Sequence, residues 1–138
     1  MVKIDDQSVV AAIAAAEQRT SGEIRVVVSH AGTEEPVLAA QKQFERLGMT
    51  KTAARNGVLI LVAPPSRNFA VIGDQGVHEK CGDAFWQELA SAMSERFKAG
   101  EFTEGLVLGI ERAGALLAQH FPRQPDDRNE LPDTIEQV

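Results

Sequence analysis

The feature that most constrains the fold is the stretch 56–76, which contains two apolar runs separated by a turn. The first run, 58–62, reads VLILV, and an unbroken apolar run between turn residues is typical of a strand buried on both faces. The segment 64–68 contains two adjacent prolines, which cannot continue the strand because proline has no backbone N–H. The second run, 69–72, again has the character of a strand. The stretch therefore predicts an antiparallel hairpin.

The residues on either side of the hairpin predict helices and one further strand. Segments 5–20 and 33–48 carry apolar side chains at helical spacing, and 23–29 between them alternates as a strand with one face more polar than the other. Strand, helix and strand in succession form a βαβ unit, whose two strands run parallel. Two more helices follow, one capped by Asp83 and one that stops at Pro122. We therefore predict an α/β fold, namely a three-layer α/β/α sandwich with a small mixed central sheet flanked by helices.

The chain divides at about residue 121. With 138 residues, of which 43% are hydrophobic and 25% charged, it has the composition of one globular domain, which we place at residues 1–121. Residues 122–138 hold three of the six prolines and carry a charge of −3, half of the net charge of −6. A charged segment with almost no apolar residues is expected to be a poorly ordered acidic tail, or else a docking strip for a basic partner.

Composition also limits the classes of function. A net charge of −6 without a Lys/Arg stripe argues against nucleic-acid binding and suits a divalent cation or a basic partner better. The single cysteine, Cys81, cannot form an internal disulfide. No run has the apolar length of a membrane span, and the N-terminus lacks the apolar core of a signal peptide, so we expect a soluble cytoplasmic protein.

Strand direction brings separated polar residues to one edge of the predicted sheet. Glu23 begins the first strand, Asn56 precedes the second and Asp74 follows the third, so a crossover and then a hairpin place all three at the same edge. The loop toward Asp83 starts there. Carboxylate, amide and backbone oxygens are the ligands that Ca²⁺ and Mg²⁺ prefer. The sequence therefore predicts a divalent-cation site whose ligands are Glu23, Asn56, Asp74 and Asp83.

These carboxylates would repel one another without a compensating charge. Either an ion or a basic side chain (Arg55, Arg25 or Lys80) has to supply that charge. Two of the predicted ligands also have purely structural explanations, because Asp74 can form an Asx-turn and Asp83 can cap a helix. No Walker loop, nucleophile elbow or paired-histidine zinc motif is present, so the catalytic residues of any enzyme here are unknown.

Several blocks of sequence, in the same order, resemble the TPM domain family, which is named after thylakoid lumen proteins, a photosystem II repair protein and a nematode receptor modulator. The blocks include SGEIRV at 21–26, RNGVLI at 55–60, IGDQG at 72–76 and FTEG at 102–105, and the likeness covers roughly residues 8–121. The resemblance implies an α/β sandwich with helices on both sides of a central sheet. It also implies a phosphatase activity, as described for members of the family, and the binding of calcium or other divalent ions, as found in some.

Three interpretations of the function stay open. The preferred one is a divalent-cation-binding domain that acts through a protein partner, with Gly73 and Gly76 letting backbone oxygens approach the ion. The second is a metal-assisted acid phosphatase, or phosphomonoesterase, in which the ion polarises the phosphoryl group while Arg55 or Arg25 contacts its oxygens. The third is a purely structural interaction domain, which predicts neither a response to metal nor turnover.

Overall fold

The computed structural model describes residues 4–123 and 135–138. Within these residues the chain forms four helices and four strands, joined by short 3₁₀ turns at Met49–Lys51 and Pro64–Ser66. In chain order the elements are α1 (Asp6–Glu17), β1 (Glu23–Val28), α2 (Pro36–Arg46), β2 (Gly57–Ala63), β3 (Asn68–Gly73), α3 (Gln75–Lys98), α4 (Phe102–His120) and β4 (Ile135–Gln137).

The strands form one mixed sheet in the order β3–β2–β1–β4. Strand β1 runs parallel to β2, with Glu23 opposite Gly57, and β3 runs antiparallel to β2, with Gly73 opposite Val58. The predicted βαβ unit and the predicted hairpin are both confirmed. So is the predicted strand direction, because the starts of β1 and β2 and the end of β3 lie at one edge of the sheet. We call this edge the rim.

Helices cover both faces of the sheet, which confirms the three-layer α/β/α sandwich. On one face α1, α3 and α4 pack against side chains that include Ile24, Val26, Val58 and Ile60. On the other face α2 packs against side chains that include Val27, Leu59 and Leu61. Both β1 and β2 are buried along their whole length. For β2 this is the predicted result. Strand β1 has the more polar face that the sequence indicated, and that face is buried as well.

The polar side chains of β1 are buried with the rest of the strand. Glu23 is 1% exposed and Arg25 is 3% exposed, and both lie on the face that α2 covers. A charged side chain in such a place needs a partner of opposite charge. For Arg25 that partner comes from the end of the chain.

Strand β4, at Ile135–Gln137, lies parallel to β1 and was not predicted from the sequence. Its Glu136 accepts hydrogen bonds from Arg25 Nη2 at 3.4 Å and from Arg46 Nη2 at 3.1 Å. These contacts compensate the charge of the buried arginine, which explains why part of a segment expected to be a poorly ordered acidic tail belongs to the sheet. Most of that predicted tail, 124–134, lies outside the described residues.

Helix α3 begins earlier than the sequence indicated. Its N-cap is Asp74, whose side chain accepts a hydrogen bond from the backbone N–H of Gln75. At Gly82 the backbone leaves the helical conformation, with φ 72° and ψ 178°. This break explains why the sequence pattern favoured a new helix capped by Asp83.

Helix α4 packs closely against α1 and α3 at its glycines, which have no side chain. A Cβ atom at Gly109 would lie 2.7 Å from the thioether of Met93 on α3, and one at Gly114 would lie 2.7 Å from the Cβ of Ala16 on α1. The glycines therefore allow α4 to approach both neighbours. None of the described helices is long and apolar enough to cross a membrane.

Candidate functional site

Three of the four predicted metal ligands lie at the rim. Glu23 is the first residue of β1, Asn56 directly precedes β2 and Asp74 directly follows β3. All three are buried, with exposed fractions of 1%, 2% and 6%. Glu23 pairs with Gly57, and the backbone N–H of Asp74 donates to the Gly57 carbonyl at 2.9 Å. Glu23 and Asp74 therefore stand on either side of β2, about 10 Å apart along the sheet.

The fourth predicted ligand, Asp83, is not at the rim. It lies on α3 eight residues beyond Gln75, directly after the break in the helix at Gly82. Its side chain is 83% exposed, and its Oδ1 is 3.4 Å from Nε2 of His78. The Nδ1 atom of that histidine accepts a hydrogen bond from Trp86 Nε1 at 3.2 Å. The early start of α3 thus places Asp83 on the outer surface of the helix.

Arg55 supplies the positive charge next to Asp74. Its Nε donates to Oδ2 at 2.6 Å and its Nη2 donates to Oδ1 at 2.7 Å, which is the two-point geometry of a strong arginine–carboxylate pair. The hydrogen bonds to Asp74 raise the pKa of the Arg55 guanidinium, so it stays charged. The side chain of Asp74 is 5% exposed and that of Arg55 is 38% exposed. Arg55 also has a φ of 51°, in the left-handed region that residues with a Cβ rarely adopt.

The glycines of the 73–76 motif have packing roles in this arrangement. A Cβ at Gly76 would lie 2.5 Å from the carbonyl oxygen of Ala54 and 2.6 Å from that of Arg55, and the Gly76 N–H donates to the Arg55 carbonyl at 2.9 Å. A Cβ at Gly73 would lie 2.5 Å from the ring of Trp86. Gly76 therefore lets the start of α3 lie against the 54–55 turn, where Arg55 can reach the helix cap.

Arg25, the second arginine singled out in the sequence, lies between the sheet and α2. Only 4% of its side chain is exposed, and its Nη2 lies 3.4 Å from Glu136 of β4. It lies two residues further along β1 than Glu23, away from the rim. Its contacts connect the sheet to its last strand.

The rim offers few oxygens that an ion could take directly. Within residues 4–123 and 135–138, no three His, Cys, Asp or Glu side chains lie close enough together to hold a metal ion. Both carboxylate oxygens of Asp74 bind Arg55, and Met49 packs against Gly57, with its Cε 3.2 Å from where a Cβ would stand. An ion at the rim would therefore have to replace Arg55 as the counter-charge of Asp74.

A cleft of about 670 Å³ opens beside the rim. Its floor is the outer edge of β3 together with Asp74, and its apolar walls are Val37 and Leu38 of α2 and Trp86 of α3. The polar side chains that line it are Gln41, Lys42, Glu45, Thr50 and His78. The sequence did not predict this cleft. Leu38 lies at the spacing of the buried stripe of α2, yet it is 43% exposed and Val37 is 53% exposed.

Comparison with known proteins gives the same fold. The model of the TPM domain family matches residues 3–116. The NMR structure of the BA42 protein from the psychrophilic bacterium Bizionia argentinensis is 40% identical and superposes with a TM-score of 0.89 over 100% of both chains. No curated protein matched the sequence.

Two N-terminal domains with lower sequence identity share the fold. The domain from P. gingivalis is 18% identical, covers 83% of this chain and 76% of its own, and has a TM-score of 0.66. The domain of the cg2496 protein from Corynebacterium glutamicum is 21% identical, covers 80% and 70%, and has a TM-score of 0.58. Because the family model matches most of its length, the chain belongs to the TPM domain family.

Proposed function

We propose that this TPM domain binds a divalent cation, Ca²⁺ or Mg²⁺, at the rim and acts through a partner protein that occupies the adjoining cleft. The observation that carries the proposal is the position of Asp74. This buried carboxylate belongs both to the rim and to the lining of the cleft. Replacing the counter-charge of Asp74 would therefore change the electrostatic environment of a partner bound in the cleft.

The pair between Arg55 and Asp74 supports an exchange of counter-charge. Asp74 is held in place as the N-cap of α3, whereas the Arg55 side chain is 38% exposed and can move into water. The left-handed backbone of Arg55 costs about 1–2 kcal/mol, and strain of this kind often accompanies functional sites. Mg²⁺ keeps several of its waters and needs only one or two carboxylates. Asp74, the Asn56 amide and the carbonyls of the 54–55 turn would supply the protein oxygens.

A cation titration followed by amide NMR tests the proposal. Adding Ca²⁺ or Mg²⁺ up to about 1 mM, the range of weak protein calcium sites, should shift the amides of Arg55, Asp74 and Gln75. Asp74→Asn should abolish these shifts, because it keeps a capping oxygen but removes the charge. Asp83→Asn is the matched control, since it removes an exposed carboxylate from the same helix and should leave the response intact. If Asp74→Asn responds as the unaltered protein does, the proposal is wrong.

A phosphatase at the same rim is the second candidate. It is favoured by the two-point geometry of Arg55, because a guanidinium that grips a carboxylate in this way also fits a phosphate. Arg25 is less well placed for that role, since it is buried against Glu136. The test is hydrolysis of p-nitrophenyl phosphate with Mg²⁺, in which Arg55→Lys should lower kcat/KM because lysine cannot form the fork. Turnover that survives both Arg55→Ala and Asp74→Ala would come from a contaminant.

A further inference from the structure

Half of the backbone of β3 faces away from the sheet. The N–H of Asp74 bonds to the Gly57 carbonyl of β2, and in an antiparallel pair the residues that bond to the neighbour alternate with residues that point outward. The backbone groups of Phe69, Val71 and Gly73 therefore point away from β2. Among residues 4–123 and 135–138, no strand lies on that side of β3. Such a row of donors and acceptors is a template for another strand.

Side chains from two helices rise on either side of this edge. Val37 and Leu38 of α2 stand on one side, and Trp86 of α3 stands on the other. They enclose the cleft of about 670 Å³ above the edge. A strand placed there would bury apolar side chains on both of its faces, as an interior strand of a sheet does.

The charge of the chain selects the occupant. A second copy would bring a further net charge of −6 to the edge, and a net charge far from zero keeps copies of a protein apart. An extended cationic chain meets no such repulsion. We therefore propose that the outer edge of β3 binds an extended apolar segment of a partner protein as an added strand.

Charge and length define the segment further. The net charge of −6 attracts cationic partners, so Lys or Arg residues should flank the apolar part. The cleft itself is nearly balanced, because its lining has one lysine, Lys42, and one glutamate, Glu45, and Asp74 is neutralised by Arg55. Strand β3 has six residues, so the added strand should be of similar length. This inference rests on the partner-binding half of the proposed function.

The experiment uses the full chain, in EDTA, and the peptide Lys-Lys-Val-Ile-Val-Ile-Val-Ile-Lys-Lys. Amide NMR should show shifts at Phe69, Val71 and Gly73, and hydrogen exchange at these amides should slow by roughly tenfold or more. The same peptide with N-methyl groups on alternate residues should bind about tenfold more weakly, because it lacks the donors that pair with β3. Because no cation is present, binding here is independent of the cation titration. If either the peptide experiment or the cation titration fails, the result of the other can still be interpreted.

A pair of variants places the binding on the outward backbone. Val71→Pro removes an outward N–H without removing a bond to β2, which is the position on an edge strand where proline is tolerated. It should lose the peptide, whereas Val71→Thr, which keeps the N–H, should retain it. If Val71→Pro does not fold, the methylated peptide makes the same test on the unaltered chain.

Several results would overturn the inference. They are no binding at millimolar peptide, equal binding of the methylated and unmethylated peptides, and shifts confined to another surface. Self-association of the chain that Val71→Pro abolishes would also overturn it, because the occupant would then be a second copy.

Discussion

Replacing Gly76 with alanine should destabilise the fold, although the same change in a helix ordinarily stabilises it. Gly76 is the second residue of α3, where alanine would gain about 0.5–1 kcal/mol of helix propensity. Its Cβ, however, would lie 2.5 Å and 2.6 Å from the carbonyl oxygens of Ala54 and Arg55. These are backbone atoms, so they cannot turn aside as the end of a side chain could.

Two effects therefore oppose the gain in helix propensity. The overpacking costs about 1–3 kcal/mol. Movement of the start of α3 also weakens the hydrogen bond of 2.9 Å from the Gly76 N–H to Arg55, which is worth about 1 kcal/mol. We expect a net loss of about 1–3 kcal/mol. For a chain of this length the loss lowers Tm by about 4–12 °C.

Scanning calorimetry measures the loss, and Gly82→Ala is a useful comparison. Nothing lies within 4 Å of a Cβ at Gly82, so only its backbone conformation opposes alanine there. The combination of φ 72° and ψ 178° is essentially restricted to glycine and costs other residues about 1–3 kcal/mol. Gly76→Ala should in addition shift the NMR signal of the Arg55 guanidinium, whereas Gly82→Ala should not. A Gly76→Ala variant as stable as the unaltered chain would show that α3 does not need this close approach.

Three further predictions concern the rest of the fold. Glu136→Gln should lower the free energy of unfolding by about 1–2 kcal/mol in a urea titration, because it leaves the buried Arg25 facing a neutral amide, and an unchanged midpoint would contradict the pairing. Ser8→Ala should raise the pKa of Asp5 in an NMR titration, since the hydrogen bond from Ser8 at 2.6 Å is the main cause of the lowered pKa. That lowered pKa stabilises the fold above the ordinary value of about 3.9 and ceases to do so as the pH falls through the folded value, so the variant should lose less stability on acidification. Leu117→Ala should cost about 2–5 kcal/mol in the same urea assay, because Leu117 is fully buried, and a cost under about 1 kcal/mol would show that the site is not closed core.

Most of the fold could be predicted because its signals are local. The hairpin is indicated by adjacent residues, namely the apolar run of β2 and the proline turn before β3. The parallel pairing of β1 and β2 follows from the helix between them. Strand β4 could not be predicted in the same way. It is held by the contact of Glu136 with Arg25, which are 111 residues apart, and no local pattern records such a pairing.

The candidate site was predictable only in part, for the same reason. Strand direction alone brought Glu23, Asn56 and Asp74 to the rim, and this needed no knowledge of side chains. Whether Arg55 or an ion balances the charge of Asp74 depends on the turn at 54–55 and on the early start of α3. Neither feature can be recognised from a predicted strand that ends in glycine and aspartate. Asp83 was misplaced by that same helix start. The cleft was missed because periodicity indicates which face of α2 is apolar but not whether another element covers it.

The glycines of helix α4 indicate when this helix forms during folding. It has glycines at 105, 109 and 114, each of which weakens an isolated helix by about 1 kcal/mol relative to alanine. Alone, this segment would spend much of its time uncoiled. Its helical conformation becomes stable only when α1 and α3 pack against the glycine positions. We therefore expect α4 to appear late in folding, in one step with its neighbours, and its amides to exchange with solvent only when the whole domain opens.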